Sequence, residues 1–384
     1  MDPQALISEY LEKLKQIQEN ILQYIEKSDD SEDDFQNINK IFEEQNVKED
    51  RHKLKELLHL IIHISSNHRR NALFFKKIER IILIFKDIMT NFYSVEDLFN
   101  IFKNNKRMLL FLFREEIIPP RSTMISTISN EKFKGWLYPN YFFPEFKPIY
   151  NTKLRKEISE QNQKLITTSD NNVDTPEIFE KNRLLGENNS EFCQLIRNDS
   201  FEEFKNYVTK TNLSLTSTIE PSIYETNTFL LKRTPTLIEY SAFYGSVNIF
   251  KYLQSNQVEL TPSLWLYAVH GQNIDLLNIL KDSQIKPEDE TYRQCYLEAI
   301  KCHHIEICEY LSNNGLKLEK GDYGAFIKSL RVFNIKYFPT SFDSSFNIFY
   351  DFCEFDYFYI VTVLLNSTKI DLNARRISYF IQKK

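Results

Sequence analysis

From about residue 190 onward one pattern recurs along the chain, and such recurrence restricts the fold to units that bury their apolar faces against one another. Ser241–Leu253 (SAFYGSVNIFKYL) lines up with Ala268–Leu280 (AVHGQNIDLLNIL) and with Ala299–Leu311 (AIKCHHIEICEYL). Weaker copies are Leu195–Tyr207 before these and Phe352–Leu364 after them. In each copy small or apolar residues end an inner helix. A short polar turn follows, and an outer helix then carries apolar residues at i, i+2, i+3, i+5 and i+6. With Phe201, Val247, Ile274, Ile305 and Phe358 as equivalents, the intervals are 46, 27, 31 and 53 residues. The middle two approach a fixed period; the outer two require an insertion or a further repeat.

Glycine narrows the function classes. The 384 residues include seven glycines, against roughly 27 at average usage. Loops that cradle phosphate or turn around a dinucleotide need glycine's positive φ and close backbone approach, so both are almost excluded. Lys+Arg 48 against Asp+Glu 53 leaves a net charge of -5, which argues against a nucleic-acid partner because phosphate binding needs a concentrated basic surface. The five cysteines suit reduced thiols better than a disulfide framework. The longest apolar runs, Ile81–Phe85, Met108–Phe113 and Ile360–Leu365, fall far short of a membrane span, and the opening MDPQALISEYLEKLK has no secretory h-region. The expected location is the cytoplasm.

The first half reads as all-helical. Ile7, Tyr10, Leu14, Ile17, Ile21 and Tyr24 alternate three and four apart over about two and a half heptads. This stripe predicts a helix packing on its own domain, with a dimerising coiled coil over 1–27 as the alternative. Apolar stripes continue through Phe35–Phe42, Leu54–Ile62 and Leu73–Ile88, and Ser94 is placed to cap a helix beginning at Val95. Pro119-Pro120 stops the pattern. The division expected is a helical domain over 1–118, a proline-containing connector over 119–186 with short helices ordered by Trp136, Tyr138, Tyr141, Phe142 and Phe143, and degenerate repeats over 187–384.

Thr234-Pro235 and Gly245–Leu253 resemble the T-P-L-H-x-A-A-x-x-G-H-x-E-I-V-K-x-L-L pattern of ankyrin repeats, and Ile370–Ala374 is similar to the A-D-V-N-A that opens a following repeat. The strings SIYETNTFLLK at 222–232, LTPSLWLYAVHG at 260–271 and KCHHIEI at 301–307 look more specifically like a large uncharacterised protist family in which ankyrin repeats follow a helical domain of unknown function. That resemblance implies an all-α chain, an N-terminal helical domain followed by a degenerate ankyrin-repeat solenoid, and no known enzymatic activity. The chain stops at Arg375–Lys384, where another repeat would begin.

Several clusters hold residue types that carry chemistry, and each has a plainer role. Cys295, Cys302, His303, His304 and Cys308 hold soft ligands of the kind zinc takes, but Cys308 falls at an apolar core slot of the repeat, so no metal site is expected. His59 and His63 stand four apart without the glutamate of H-E-x-x-H, and with His52 and Glu56 they read as a solvated face. His68–Arg70 and Lys103–Arg107 read as solvated basic turns. No nucleophile elbow or P-loop is present, and pairing Cys193 or Cys353 with a distant histidine has nothing specific behind it.

The function expected is therefore a non-enzymatic scaffold that binds a protein partner on the concave face of the array, with no catalytic residue, cofactor or metal. The residues expected on that face are Phe243, Tyr244, His270, Lys301 and Cys302, because aromatic and cationic groups suit interface hot spots. One rival is a structural homodimer built through residues 1–27 with the repeats as spacers. The other is an enzyme with an unrecognised site.

Overall fold

A computed structural model describes residues 2–129, 137–167, 175–314, 322–338 and 346–367. Trp136 and the Ile370–Ala374 and Arg375–Lys384 segments lie outside them. Every regular element among the described residues is helical, apart from one isolated antiparallel bridge between Thr218 and Thr236. No helix there is long and apolar enough to cross a membrane.

The helices in chain order are α1 (Pro3–Glu26), α2 (Glu32–Glu44), α3 (Arg51–Asn67), α4 (Phe74–Leu83), α5 (Lys86–Phe92), α6 (Val95–Phe102), α7 (Lys106–Arg114) and α8 (Ser122–Ile128). Four more cover the connector and its edge: α9 (Leu137–Tyr141), α10 (Phe143–Phe146), α11 (Thr152–Thr167) and α12 (Pro176–Leu185). The repeat region holds α13 (Glu191–Arg197), α14 (Phe201–Thr211), α15 (Leu237–Tyr244), α16 (Val247–Ser255), α17 (Leu264–Gly271), α18 (Ile274–Asp282), α19 (Arg293–Cys302), α20 (Ile305–Asn313), α21 (Tyr323–Val332), α22 (Phe346–Glu354) and α23 (Phe358–Ser367).

Contacts group the described residues into two units that do not follow chain order. The first draws on Met1–His63, Arg70–Phe85 and Lys317–Lys384, the second on Ile64–Arg69 and Lys86–Leu316. The sequence division at 118 and 186 runs along the chain; this grouping does not.

In the first unit α1 lies against α2, α4, α23 and a short 3-10 turn at Ile335–Tyr337. Its whole apolar stripe, Ile7 to Tyr24, is buried there. Gln18 is buried too, donating from Nε2 to Asn334 Oδ1 at 2.7 Å and accepting at Oε1 from Ile335 N at 2.8 Å. The polar stripe of α3, expected to face water, is instead roofed by aromatic rings. His52 stacks on Phe358 with centroids 3.6 Å apart, and His59 and His63 stack on Phe333 at 5.1 and 6.2 Å. Glu56 is 2% exposed and accepts a hydrogen bond from the Tyr10 hydroxyl. Residues some three hundred positions downstream cover what a helical wheel reads as a wet face.

In the second unit Ser94 caps α6 as expected. Its Oγ accepts from Asp97 N at 3.1 Å and the Asp97 carboxylate accepts from Ser94 N at 3.1 Å, satisfying two otherwise orphaned donors. The aromatic stretch of the connector forms a core: Phe142 and Phe146 pack edge-on against Phe113, each at 5.5 Å, while Tyr138 and Tyr141 are buried and Phe143 is half-buried. Two basic segments expected to be solvated are largely not. His68, Lys106 and Arg107 are buried, because their donors serve main-chain carbonyls of neighbouring segments. Lys106 Nζ donates to Ile223 O and Glu225 O and lies 4.2 Å from the Tyr141 ring centre; Arg107 Nε donates to Leu184 O at 2.7 Å.

The repeat appears most plainly in its turns. Between inner and outer helix the backbone turns left-handed at Asp199 (φ 49°), Gly245 (70°), Gln272 (48°), His303 (59°), Phe333 (55°) and Asp356 (64°), always two residues before the next helical segment. Five of these turns carry the same six-to-one hydrogen bond: Ser200 N to Leu195 O, Ser246 N to Ser241 O, His304 N to Ala299 O, Asn334 N to Ser329 O and Tyr357 N to Phe352 O, all 2.9–3.0 Å. This bond satisfies carbonyls that a helix end leaves open. The turn at Phe333 splits the 53-residue interval into 30 and 23, and so is the further repeat that interval required. The 46-residue interval holds an insertion, Leu213–Thr236, with a 3-10 turn at Leu230–Lys232.

The residue after the left-handed position links neighbours. The Ser246 hydroxyl donates to Ile196 O, Asn273 Nδ2 to Gly245 O at 3.4 Å, His304 Nδ1 to Val269 O at 2.9 Å, and the Tyr357 hydroxyl to Leu330 O at 3.0 Å. In the second unit α13, α15, α17 and α19 touch in that order, and α14 touches α16. The contact between α15 and α17 is close enough that a methyl on Gly271 would lie 2.4 Å from Ala242 O. Gly245 makes one of the left-handed turns, and the other five are made with non-glycine residues at a cost of about 1–2 kcal/mol each. Gln272→Gly is accordingly expected to stabilise the chain by about 0.5–1 kcal/mol once glycine's extra unfolded-state entropy is offset. Urea midpoints measure it, and an unchanged or lowered midpoint would refute the strain.

Candidate functional site

Stacking α15, α17 and α19 in series sets their C-terminal ends side by side. Phe243 and Tyr244 end α15, His270 lies in the last turn of α17, and Lys301 and Cys302 end α19. The structure thus gathers the five residues singled out from the sequence at one place, but it does not leave them open to solvent. Phe243 is 8% exposed, His270 2% and Cys302 0%, while Tyr244 and Lys301 are half-buried. For Phe243, His270 and Cys302 the expectation of a directly accessible binding face is corrected.

What covers them is the insertion. The Phe229 ring sits 4.1 Å from the His270 ring, 5.0 Å from Tyr267 and 5.8 Å from Phe243, centre to centre. The Arg233 guanidinium lies 3.7 Å from the Phe229 ring centre and the Lys301 ammonium 5.8 Å. The backbone leading to Phe229 is held at several points. Glu225 Oε1 accepts from Thr226 N and Asn227 N at 2.8 and 2.7 Å, Asn227 Oδ1 accepts from Phe229 N at 2.9 Å, and Thr226 Oγ1 donates to Gly186 O at 2.7 Å. With Lys106 bonded to the carbonyls of Ile223 and Glu225, this stretch is anchored on both its polar and its apolar side.

Beneath Phe229 lies a short polar chain. His270 Nε2 is 2.8 Å from Glu298 Oε1, Lys301 Nζ donates to the same oxygen at 2.7 Å, and Cys302 Sγ stands 3.4 Å from Nδ1 and 3.7 Å from Nε2 of His270. Burial lowers the His270 pKa, although the Glu298 carboxylate pulls the other way. Burial alone would raise the Glu298 carboxyl; the His270 hydrogen bond and the Lys301 charge outweigh it and hold the group well below the usual carboxylate range. Thiol, imidazole and carboxylate in sequence have the order of a nucleophile, its base and an orienting acid, but Cys302 offers no surface to a substrate.

Among the described residues, His270, Glu298 and Cys302 form the one group of three or more His, Cys, Asp or Glu whose ligand atoms all lie within 4.8 Å of one another. The residues weighed for zinc from the sequence do not assemble this way, and only Cys302 belongs to the group. Cys295 and Cys308 are buried, and the two His304 nitrogens meet Val269 O and Arg69 N. Sequence reasoning missed Phe229 and Glu298. Glu298 was legible in part, since it lies four before Cys302 and so shares its helix face. Phe229 carries no periodic signal, because it belongs to an irregular insertion.

Comparison with known proteins finds no match to a family model, a curated protein or a solved structure.

Proposed function

We propose that the chain is a non-enzymatic protein-interaction scaffold, built of a helical domain and degenerate ankyrin-like hairpins that present a partner-binding face across the ends of their inner helices. The observation that carries this reading is the turn geometry: six left-handed turns at equivalent positions, five with the same six-to-one bond, joining hairpins whose inner helices touch in series in the second unit. Arrays of this kind spread binding over many shallow contacts. The burial of Cys302 speaks for the non-enzymatic side of the reading.

The face is narrower than the sequence implied. A partner meets the half-buried Tyr244 and Lys301 together with Arg233, and Phe243 and His270 act as the floor on which Phe229 rests. Aromatic and guanidinium groups at a partly desolvated surface are the residue types that dominate interface energetics. The test is affinity purification from the native cell with the full chain and with Tyr244→Ala/Lys301→Ala, after circular dichroism shows the variant folded. A partner retained by the first and reduced at least tenfold with the second is the expected result. Equal capture by both moves binding to another surface, and no specific partner for either removes the scaffold reading.

A further inference from the structure

We infer, building on the scaffold reading, that the partner meets this face with a carboxylate, an Asp or Glu side chain of an acidic segment, and that Arg233 receives it. Arg233 follows the 3-10 turn Leu230–Lys232, is half-buried, and holds its guanidinium over the Phe229 ring, 3.7 Å from the centre. That ring is wedged against His270, Tyr267 and Phe243, so the guanidinium rests on a fixed platform. An arginine stacked on an aromatic ring uses its π-face and keeps its N–H edge for an acceptor. Here the edge is largely open, since the bond from Nη1 to Phe229 O is long, at 3.4 Å. Among the described residues no carboxylate oxygen lies within 4.0 Å of it. Arg183 and Arg197, in the same unit, are by contrast paired with Glu145 and Glu187, each at 2.8 Å.

The charges around the ring leave Arg233 unmatched. Those acting most strongly on His270 are Glu298, Lys301 and Arg233, one anion against two cations. Glu298 is already engaged, because its Oε1 accepts from Lys301 Nζ at 2.7 Å and stands 2.8 Å from His270 Nε2. Glu239, which with Arg233 acts on Tyr267, is engaged as well. Its Oε2 accepts from Thr236 N at 2.8 Å and its Oε1 from the Ser263 hydroxyl at 2.6 Å. The exposed Lys232 adds a further positive charge beside Arg233. A half-buried guanidinium is partly desolvated, so a pair formed there is screened less than one in open water. One planar fork matches one carboxylate in bidentate fashion. A phosphate fits less well, because the inner helices α15, α17 and α19 end at this face and their partial negative charge opposes a dianion more than a monoanion.

Random peptides displayed on phage and selected on the full chain test the pairing without a known partner. The expected result is a set of enriched sequences that share an Asp or Glu at one aligned position. Replacing that residue by Asn or Gln in the synthetic peptide should weaken binding by about tenfold or more, and Arg233→Gln in the chain should do the same. The two changes together should cost little more than either alone, as for groups in direct contact. Arg233→Lys should recover only part of the affinity, because an ammonium keeps the charge and loses the fork. Enriched peptides with no shared acidic residue, or with equal affinity for Arg233→Gln, overturn the pairing and leave the scaffold reading standing. Tighter binding of a phosphoserine version of the same peptide overturns it in favour of a phosphorylated partner. No enrichment, where affinity purification from the native cell does yield a partner, counts against the acidic segment alone; failure by both routes removes the scaffold reading too. Should Arg233→Gln fail to fold, Arg233→Lys decides, and unchanged affinity then counts against the pairing.

Discussion

Deletion of residues 2–27 is expected to unfold the first unit rather than to split a dimer into monomers. The stripe that could have zipped two copies together is spent inside the chain: Ile7, Tyr10, Leu14, Ile17, Ile21 and Tyr24 are each no more than 8% exposed, and Leu11, Leu22 and Ile25 are buried beside them. Burying one large aliphatic side chain contributes about 1.5–3 kcal/mol, and a domain's whole net stability is about 5–15 kcal/mol, so no unit survives the loss of this helix. The deletion would also remove the two bonds that the buried Gln18 makes, to Asn334 Oδ1 and to the Ile335 amide. A milder form of the same result is a loss of about 2–5 kcal/mol for Ile21→Ala, at a fully buried position. Light-scattering mass and urea unfolding of the shortened chain decide the matter. A cooperatively folded product of half the native mass would restore the coiled-coil dimer and refute the packing described.

The second large effect concerns pH and also belongs to the first unit. Burial pushes the Glu56 carboxyl up from 4.5 to about 8, although the hydrogen bond from Tyr10 pulls the other way. Between those values the folded chain holds a proton that the unfolded chain has released. The stabilisation from this group is therefore complete below about pH 4.5 and is lost as pH rises towards and through 8. A rise of that size corresponds to at most about 5 kcal/mol. Glu56→Gln keeps a polar group of the same shape that cannot ionise. Its stability profile should fall less steeply over this window and cross above that of the unaltered chain near its alkaline end. Urea midpoints at closely spaced pH values would show this, and two parallel profiles would mean that Glu56 does not titrate within the fold.

Which groups become buried also explains how far the sequence could be read. The α1 stripe, the Ser94 cap and the helix-turn-helix copies depend on spacing over a few residues, and the helical class followed from them directly. The turn at Phe333 hid because Val332–Ile335 leads into a 3-10 turn, so no apolar outer-helix pattern marks it; only its left-handed Phe333 does. The errors about solvent all share one cause. His52, Glu56, His59 and His63 form a correct polar stripe, yet exposure is settled by Phe333 and Phe358. Lys106 looks like a surface lysine until the carbonyls of Ile223 and Glu225 are brought to it.

The candidate site divides along the same line. Its members on the inner helices, Phe243, Tyr244, His270, Lys301 and Cys302, were legible because equivalent positions of a repeat fall on one side of a stack. That they converge with Glu298 under Phe229 was not. By itself the amino-acid order determined that this chain is helical, that its second half is made of recurring hairpins, and where most of their turns fall, since these are consequences of local periodicity and capping. Only the tertiary structure decided which polar faces are dry, what roofs the inner-helix ends, and which thiol meets which imidazole, since burial is set by segments far apart in the chain.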